Sequence, residues 1–339
     1  MYNKKICLIH AGGTIGMTRS ERGYVPKTGY LKERLEAIAD LYVNGMPAFD
    51  LYEMSPLLDS SNMSVNEWNR IGSTIAERYD SYDGFVILHG TDTMAYTASS
   101  LSFMLENLNK PVVITGSQIP LCEIRSDGRD NLITSMIIAA AGKVREVCLY
   151  FGGRLLRGNR ATKMSADGLM AFDSPNFPRL AEAGINIKYY PTAKKKKTEG
   201  EFNFVPFSEV PIGVLKIFPG INFSLFDAVM TEKLKGVVLE TFGAGNIPGD
   251  GNALLPIIRA AFAAGAVITV CSQCPVGTVS LGAYAASAEL LEAGAVSGFD
   301  MTTEAAVAKL YYLFSKGYST DNIKVKMETD IAGELTRIG

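Results

Sequence analysis

Four short, uninterrupted apolar runs punctuate the first 150 residues: Ile6-Cys7-Leu8-Ile9, Phe85-Val86-Ile87-Leu88, Pro111-Val112-Val113-Ile114 and Val147-Cys148-Leu149-Tyr150. Apolar runs this short, without polar alternation, mark strands buried on both faces. The segments between them carry helical spacing. Met94, Ala98, Leu101, Leu105 and Leu108 recur every three or four positions, which is one helix face. Leu132 to Ala141, behind the turn signal Ser126-Asp127-Gly128, reads as a second apolar helix. Strands alternating with helices predict an α/β chain whose mostly parallel sheet is covered on both faces by helices.

From about Tyr190 the texture changes. The basic run Lys194 to Lys197 and the polar Thr198-Glu199-Gly200-Glu201 lie among Pro191, Pro206 and Pro211. This reads as a solvated linker and strand edge. The α/β rhythm then resumes, with strands at Val214–Phe218, Val237–Leu239 and Val267–Val270. Helices are predicted around Leu254–Ala264, Ala283–Leu291 and Ala305–Phe314. The expected organisation is a larger N-terminal domain over residues 1–190, a linker over 191–212 and a smaller C-terminal α/β domain over 213–339.

Composition removes several classes of function. With 33 Lys+Arg against 35 Asp+Glu the net charge is −2, which lacks the basic excess of a nucleic-acid binder. At 47% hydrophobic and 20% charged the chain is neither disordered nor short of core. The longest uncharged stretch, Ala260 to Ala288, is broken by Gly265, Gln273, Pro275, Gly277 and Gly282. It therefore reads as two buried elements joined by a loop, and no membrane partner is expected. Only four apolar residues separate Lys5 from His10, too few for a secretory signal. Five scattered cysteines suit a reducing compartment, and the expected location is cytoplasmic.

In an open parallel sheet, ligands collect beyond the carboxyl ends of the strands. The first strand runs into His10-Ala11-Gly12-Gly13-Thr14-Ile15-Gly16 and the second into His89-Gly90-Thr91-Asp92-Thr93. Each sets a threonine beside glycine, where a ligand can approach the backbone closely. Bland readings compete: a turn for Thr91, and an N-cap for Asp92 ahead of the Met94 helix. Two such turns on strands that can be sheet neighbours favour a site. A phosphate-binding or purely structural turn stays open for the first, but the dinucleotide fingerprint does not fit. Its glycine spacing is wrong, and Thr18 to Gly29 reads as a mobile loop instead of a helix. After Gly243-Ala244-Gly245, Pro248 stands where a third glycine belongs. His10 and His89 both end buried strands and read as packed side chains, and no G-x-S-x-G elbow occurs. Cys271-Ser272-Gln273-Cys274 lacks a second ligand pair, so it reads as two packed thiols and no metal is expected.

Ala11-Gly12-Gly13-Thr14-Ile15-Gly16 and Gly84-Phe-Val-Ile-Leu-His89-Gly90-Thr91-Asp92-Thr93-Met94 resemble the two characteristic motifs of bacterial-type L-asparaginases. The second is complete, and the first has Ala11 where most members carry threonine. The resemblance covers the whole chain, including Leu58-Asp59-Ser60-Ser61, Thr115-Gly116-Ser117-Gln118-Ile119-Pro120 and Arg160-Ala161-Thr162-Lys163. Without a signal segment the chain is most similar to the cytoplasmic type I branch. The resemblance implies hydrolysis of L-asparagine to L-aspartate and ammonia with no cofactor and no metal. It makes Thr14 the nucleophile that forms a covalent aspartyl ester, and Tyr24 the loop residue that closes over Thr14. Thr91, Lys163 and Asp92 become a second triad. Asp59, Ser60, Ser61, Thr91, Asp92 and Ser117 become the substrate-binding set. Asn246 resembles a residue that enters a neighbouring subunit's site, which implies a homodimer or homotetramer.

The chemistry is consistent with those roles. A threonine hydroxyl needs a neighbouring base to attack at neutral pH. Lysine can be that base when neutral, a form favoured by burial and opposed by a carboxylate such as Asp92. Gly12, Gly13 and Gly90 leave room for backbone N–H groups near a developing oxyanion, each such donor contributing about 2.7–4 kcal/mol. One position departs from the family. Some type I enzymes bind asparagine at a regulatory site through an arginine where this chain has Glu240, with Ser272, Gln273 and Cys274 on its other wall. An acidic Glu240 implies lost or altered regulation. Two alternatives stay open: a glutaminase or amidotransferase-type amidase, and a non-catalytic amino-acid- or nucleotide-binding module. Amidotransferase subunits usually carry an extra N-terminal domain, and here the Thr14 motif begins within ten residues of Met1.

Overall fold

The first apolar run forms β1 (Lys5–Gly12), buried from Ile6 onward. Next comes an antiparallel hairpin, β2 (Met17–Ser20) and β3 (Gly23–Pro26), where the sequence predicts an irregular loop. Arg19 pairs with Tyr24 in that hairpin, and both side chains reach Glu123. After α1 (Tyr30–Glu36) comes the edge strand β4 (Ala48–Leu58). Helix α2 (Val65–Glu77) starts at a capping-box sequence, Ser64 to Glu67: the Ser64 hydroxyl accepts from Asn66 N–H and donates to the Glu67 carboxylate. The remaining apolar runs become β5 (Gly84–Leu88), followed by α3 (Met94–Met104), then the two-residue β6 (Leu105–Glu106) and β7 (Val112–Thr115). Helix α4 (Gly128–Ala141) leads to β8 (Val147–Phe151) and β9 (Arg154–Arg157). Short strands complete this part: β10 (Thr162–Lys163), β11 (Phe172–Asp173), β12 (Ala181–Ala183), β13 (Ile187–Tyr189) and β14 (Asn203–Phe204).

The predicted helix through Leu108 is corrected: it stops at Met104. Asn107 adopts a left-handed φ of 57°, and β14 pairs with Leu105–Glu106. Leu105 and Leu108 are still buried, so the apolar spacing reports burial beyond the end of the helix.

The eight-stranded sheet runs β13-β12-β9-β8-β7-β5-β1-β4. Strands β4, β1, β5, β7 and β8 are parallel, and the rest join antiparallel. Ile6, Leu8, Val86, Leu88 and Val113 meet Leu31 and Leu35 of α1 and Leu132 and Met136 of α4 in one core. On the alternate face Cys7, Ile9, Phe85, Ile87 and Ile114 are buried as well, and α3 packs on β7 and β8. Burial on both faces is why these strands lack polar alternation.

This computed structural model describes residues 4–21, 23–193, 200–248, 253–282 and 285–336, and it divides into two units at Pro206/Phe207. The basic run Lys194–Lys197, Thr198-Glu199 and the start of the helix predicted from Ala283 lie outside the described residues. The second unit holds β15 (Ile212–Lys216), β16 (Gly236–Thr241), α5 (Leu254–Ala263), β17 (Val267–Ser272), α6 (Ala285–Glu292) and β18 (Val296–Ser297). Helices α7 (Thr303–Ser315) and α8 (Thr320–Met327) close it. Its four strands are parallel in the order β15-β16-β17-β18. Val237, Leu239, Ile268 and Val270 pack with Leu254, Ile258 and Leu290. Strand β15 ends at Lys216, leaving Phe218 exposed. Among the described residues, no helix is long and apolar enough to cross a membrane.

Candidate active site

Because β4, β1, β5 and β7 are adjacent and parallel, their carboxyl ends open on one edge of the sheet. In sheet order those ends deliver Asp59-Ser60-Ser61, Thr14, Thr91-Asp92 and Ser117-Gln118. The two threonine turns therefore belong to neighbouring strands.

Glycine makes their close approach possible. Gly13 has φ 86° and ψ 171°, a region essentially restricted to glycine, and a Cβ there would sit 2.2 Å from Gly90 N. A Cβ on Gly90 would sit 2.3 Å from Ser60 Oγ. The β1 and β5 ends thus meet backbone to backbone, and the Ser60 side chain closes on Gly90. Thr14 follows in a single helical turn, half-buried, and its hydroxyl makes no hydrogen bond among the described residues. Gly13's own N–H donates to Leu58 O at 3.1 Å, so an oxyanion contact must come from another amide.

Lys163 reaches the second turn from β10, held by pairing with β11. Its ammonium nitrogen lies 2.9 Å from Thr91 Oγ1 and 2.7 Å from Asp92 Oδ1. Thr91 is buried, whereas Asp92 is largely exposed. Asp92 is not the helix cap. Thr93 occupies that position, and its hydroxyl donates to Ser60 O at 2.7 Å, joining the β4 and β5 ends. Ser60 is 3% exposed, while Asp59 and Ser61 are open to solvent, the Asp59 carboxylate accepting from Ser61 N–H at 3.1 Å. Ser117 is 1% exposed, and its hydroxyl has no partner among the described residues.

Tyr24 is not brought to this group. Tyr24 donates to Glu123 Oε1 at 2.9 Å, and Arg19 grips the same carboxylate at 2.7 and 3.0 Å. Arg19 holds the Glu123 carboxyl below its ordinary range, and Tyr24 adds to the effect. Tyr24 makes no bond to Thr14. In the second unit Asn246 bridges to Phe242 through its backbone. Glu240 accepts from Thr303 Oγ1 at 2.6 Å and lies 3.9 Å from Lys216 Nζ. Ser272 Oγ donates to Gly243 O and accepts from Cys274 N–H. Of the two thiols only Cys271 is packed, its pKa pushed up to about 12 by burial; the expectation for Cys274 is corrected, because it is exposed.

His89 is buried at the heart of the β5 turn. Its Nδ1 lies 2.7 Å from Gly90 O, which only accepts, so the proton sits there and Nε2 accepts from Thr97 Oγ1 at 2.9 Å. Trp68 Nε1 donates in turn to Thr97 at 3.1 Å. Burial pushes the His89 pKa down to about 4, which fits a neutral, positioning imidazole. His10 is likewise buried beside Glu53, its pKa lowered by burial. Trp68, Thr97, Gln118 and Glu123 were not singled out in the sequence. Only the capping box ahead of Trp68 and the position of Gln118 beside Ser117 could have signalled any of them. Among the described residues, no cluster of three His, Cys, Asp or Glu side chains could hold a metal.

Known proteins resemble this chain along its whole length. Family models described as Asparaginase, N-terminal and Glutaminase/Asparaginase C-terminal domain match residues 5–195 and 211–327. The chain is 47% identical to L-asparaginase 1 of Escherichia coli strain K12, over 99% of each chain. It is 41% identical to the human 60 kDa lysophospholipase, over 98% of this chain and 62% of that protein. The crystal structure of L-asparaginase I from Vibrio cholerae superposes with a TM-score of 0.92 at 45% identity, covering 98% of this chain and 99% of that one. Family models over both halves of the chain and a relative matched along its full length define a class of amide-hydrolysing proteins. The chain belongs to the asparaginase family.

Proposed function

We propose that this protein hydrolyses L-asparagine to L-aspartate and ammonia through an acyl-threonine intermediate, and that it works in the cytoplasm. The observation that carries the reading is the Lys163–Thr91–Asp92 group, at 2.9 and 2.7 Å, beside the glycine-locked turn of Thr14. Thr14 Oγ1 attacks the side-chain carboxamide carbon. The amide nitrogen leaves as ammonia, taking up the proton that the hydroxyl gives away, and an aspartyl ester remains. Water, activated by Thr91 with Lys163 and Asp92, then attacks the ester and restores the hydroxyl. Ser60, Asp59, Ser61, Asp92 and Ser117 hold the amino acid head. The unspent hydroxyl of buried Ser117 supports that role, since a buried donor left unpaired is unfavourable.

Tyr24 takes part once it exchanges Glu123 for Thr14. Asn246 completes the site of a neighbouring subunit, so the active species is a homodimer or homotetramer. Glu240, already engaged by Thr303 and near Lys216, repels an effector's carboxylate. Ammonia release with L-asparagine and L-glutamine side by side, without cofactor, tests the reading. Turnover of asparagine with a hyperbolic velocity curve is expected. Release from neither amide would overturn the proposed activity, and a sigmoidal curve would overturn the account of Glu240.

A further inference from the structure

Gln118 stands between Thr91 and the loop that follows Lys163. Its Nε2 lies 3.2 Å from Ala166 O and 3.2 Å from Gly168 O. Two carbonyls only accept, so this end of the carboxamide carries the N–H groups and Oε1 is the end facing Thr91. The reverse orientation would press a carboxamide oxygen against two carbonyl oxygens. Oε1 is 3.1 Å from Thr91 Oγ1 and only accepts, so the threonine hydroxyl must donate to it. The lone pairs of Thr91 then face Lys163 Nζ, which donates at 2.9 Å. Hydrogen bonds thus run with one polarity from Lys163 through Thr91 and Gln118 to the loop carbonyls.

The framework around Gln118 is rigid. Its own N–H donates to both Asp127 carboxylate oxygens at 3.1 Å, and Ile119 N–H donates to the same group at 2.9 Å. Asn131 Nδ2 holds Gly116 O at 3.0 Å. The loop on the other side is closed by Met164 N–H to Ala171 O at 2.7 Å and by Gly168 N–H to Ser165 Oγ at 2.9 Å.

We propose that Gln118 is a positioning residue of the Thr91–Lys163–Asp92 group: it fixes the Thr91 hydroxyl as an acceptor toward Lys163 and ties it to the loop behind that lysine. This rests on the reading that the group works in turnover. Without Gln118 the Thr91 hydroxyl loses its fixed direction, and the loop loses its link to the β7 end.

Gln118→Met keeps the length and removes both polar ends. Its kcat should fall about 10- to 100-fold while KM for L-asparagine stays within about threefold and thermal unfolding remains a single cooperative transition. Gln118→Glu separates the two ends. A protonated carboxyl restores one donor and one acceptor, whereas an ionised one faces the two carbonyls repulsively. The activity of Gln118→Glu relative to wild type should therefore rise as pH falls from about 8 to about 5.5, while the same ratio for Gln118→Met stays level. A Gln118→Met enzyme with kcat within about twofold of wild type would overturn the proposal. So would a level ratio for Gln118→Glu, which decides the matter if the methionine variant does not fold. Wild-type protein that releases no ammonia would remove the underlying reading; with active wild type, the variants judge Gln118 alone.

Discussion

Neutral His89 ties the site to pH. In the folded chain its pKa lies near 4 because burial disfavours the charged ring, against an ordinary value of 6.5. Between those values the unfolded chain binds a proton that the folded one refuses. The contribution of His89 is therefore intact above pH 6.5 and lost as pH falls toward 4, by roughly 3 kcal/mol in all. His89→Gln should flatten that part of the stability curve, measured as wild type minus variant by denaturant unfolding. Equal slopes would show that His89 does not titrate between the two states. At this scale the sequence was uneven. His89 and the threonines were legible because they abut glycine at the ends of apolar strands. Lys163 was not, since nothing in Arg157 to Lys163 distinguishes a solvated lysine from one turned inward by β10–β11 pairing.

The strand ends assemble the site, and Gly13 is where the assembly is tightest. Any side chain at φ 86° and ψ 171° is strained, and its Cβ would strike Gly90 N. Gly13→Ala should destabilise by at least about 2 kcal/mol or displace the Thr14 turn with loss of activity. Unchanged melting and unchanged turnover would contradict that packing. Parallel strands β1, β5, β7 and β8 were legible because burial on both faces writes a continuous apolar run. The edge strand β4 was not, because only part of it is covered, yet Ser60 follows directly beyond its end. Hairpin β2–β3 was hidden by its polar residues; the Arg19 guanidinium and the Tyr24 hydroxyl are both spent on Glu123, more than 90 positions away. A long-range pairing of this kind leaves no local period to read.

At the scale of the whole molecule, the two-part α/β organisation follows from the strand–helix rhythm, while the link between the parts carries no such rhythm. The second unit has its own polar lock. Lys309 and Glu334 are both fully buried and 2.5 Å apart, with Lys309 also donating to Met327 O and Thr329 O. Lys309→Met should destabilise by about 3–5 kcal/mol, because it strands a buried carboxylate, and adding Glu334→Leu should recover part of the loss. Thermal unfolding of the single and double variants checks this; additive losses would mean the pair is not coupled. In the proposed reaction the Thr14 turn performs the chemistry, held in place by this architecture. Ammonia release from L-asparagine by Thr14→Ala, with L-aspartate binding measured alongside, tests it most directly. Binding should persist and ammonia release collapse; a variant that still turns over at a rate near wild type would mean that Thr14 is not the nucleophile.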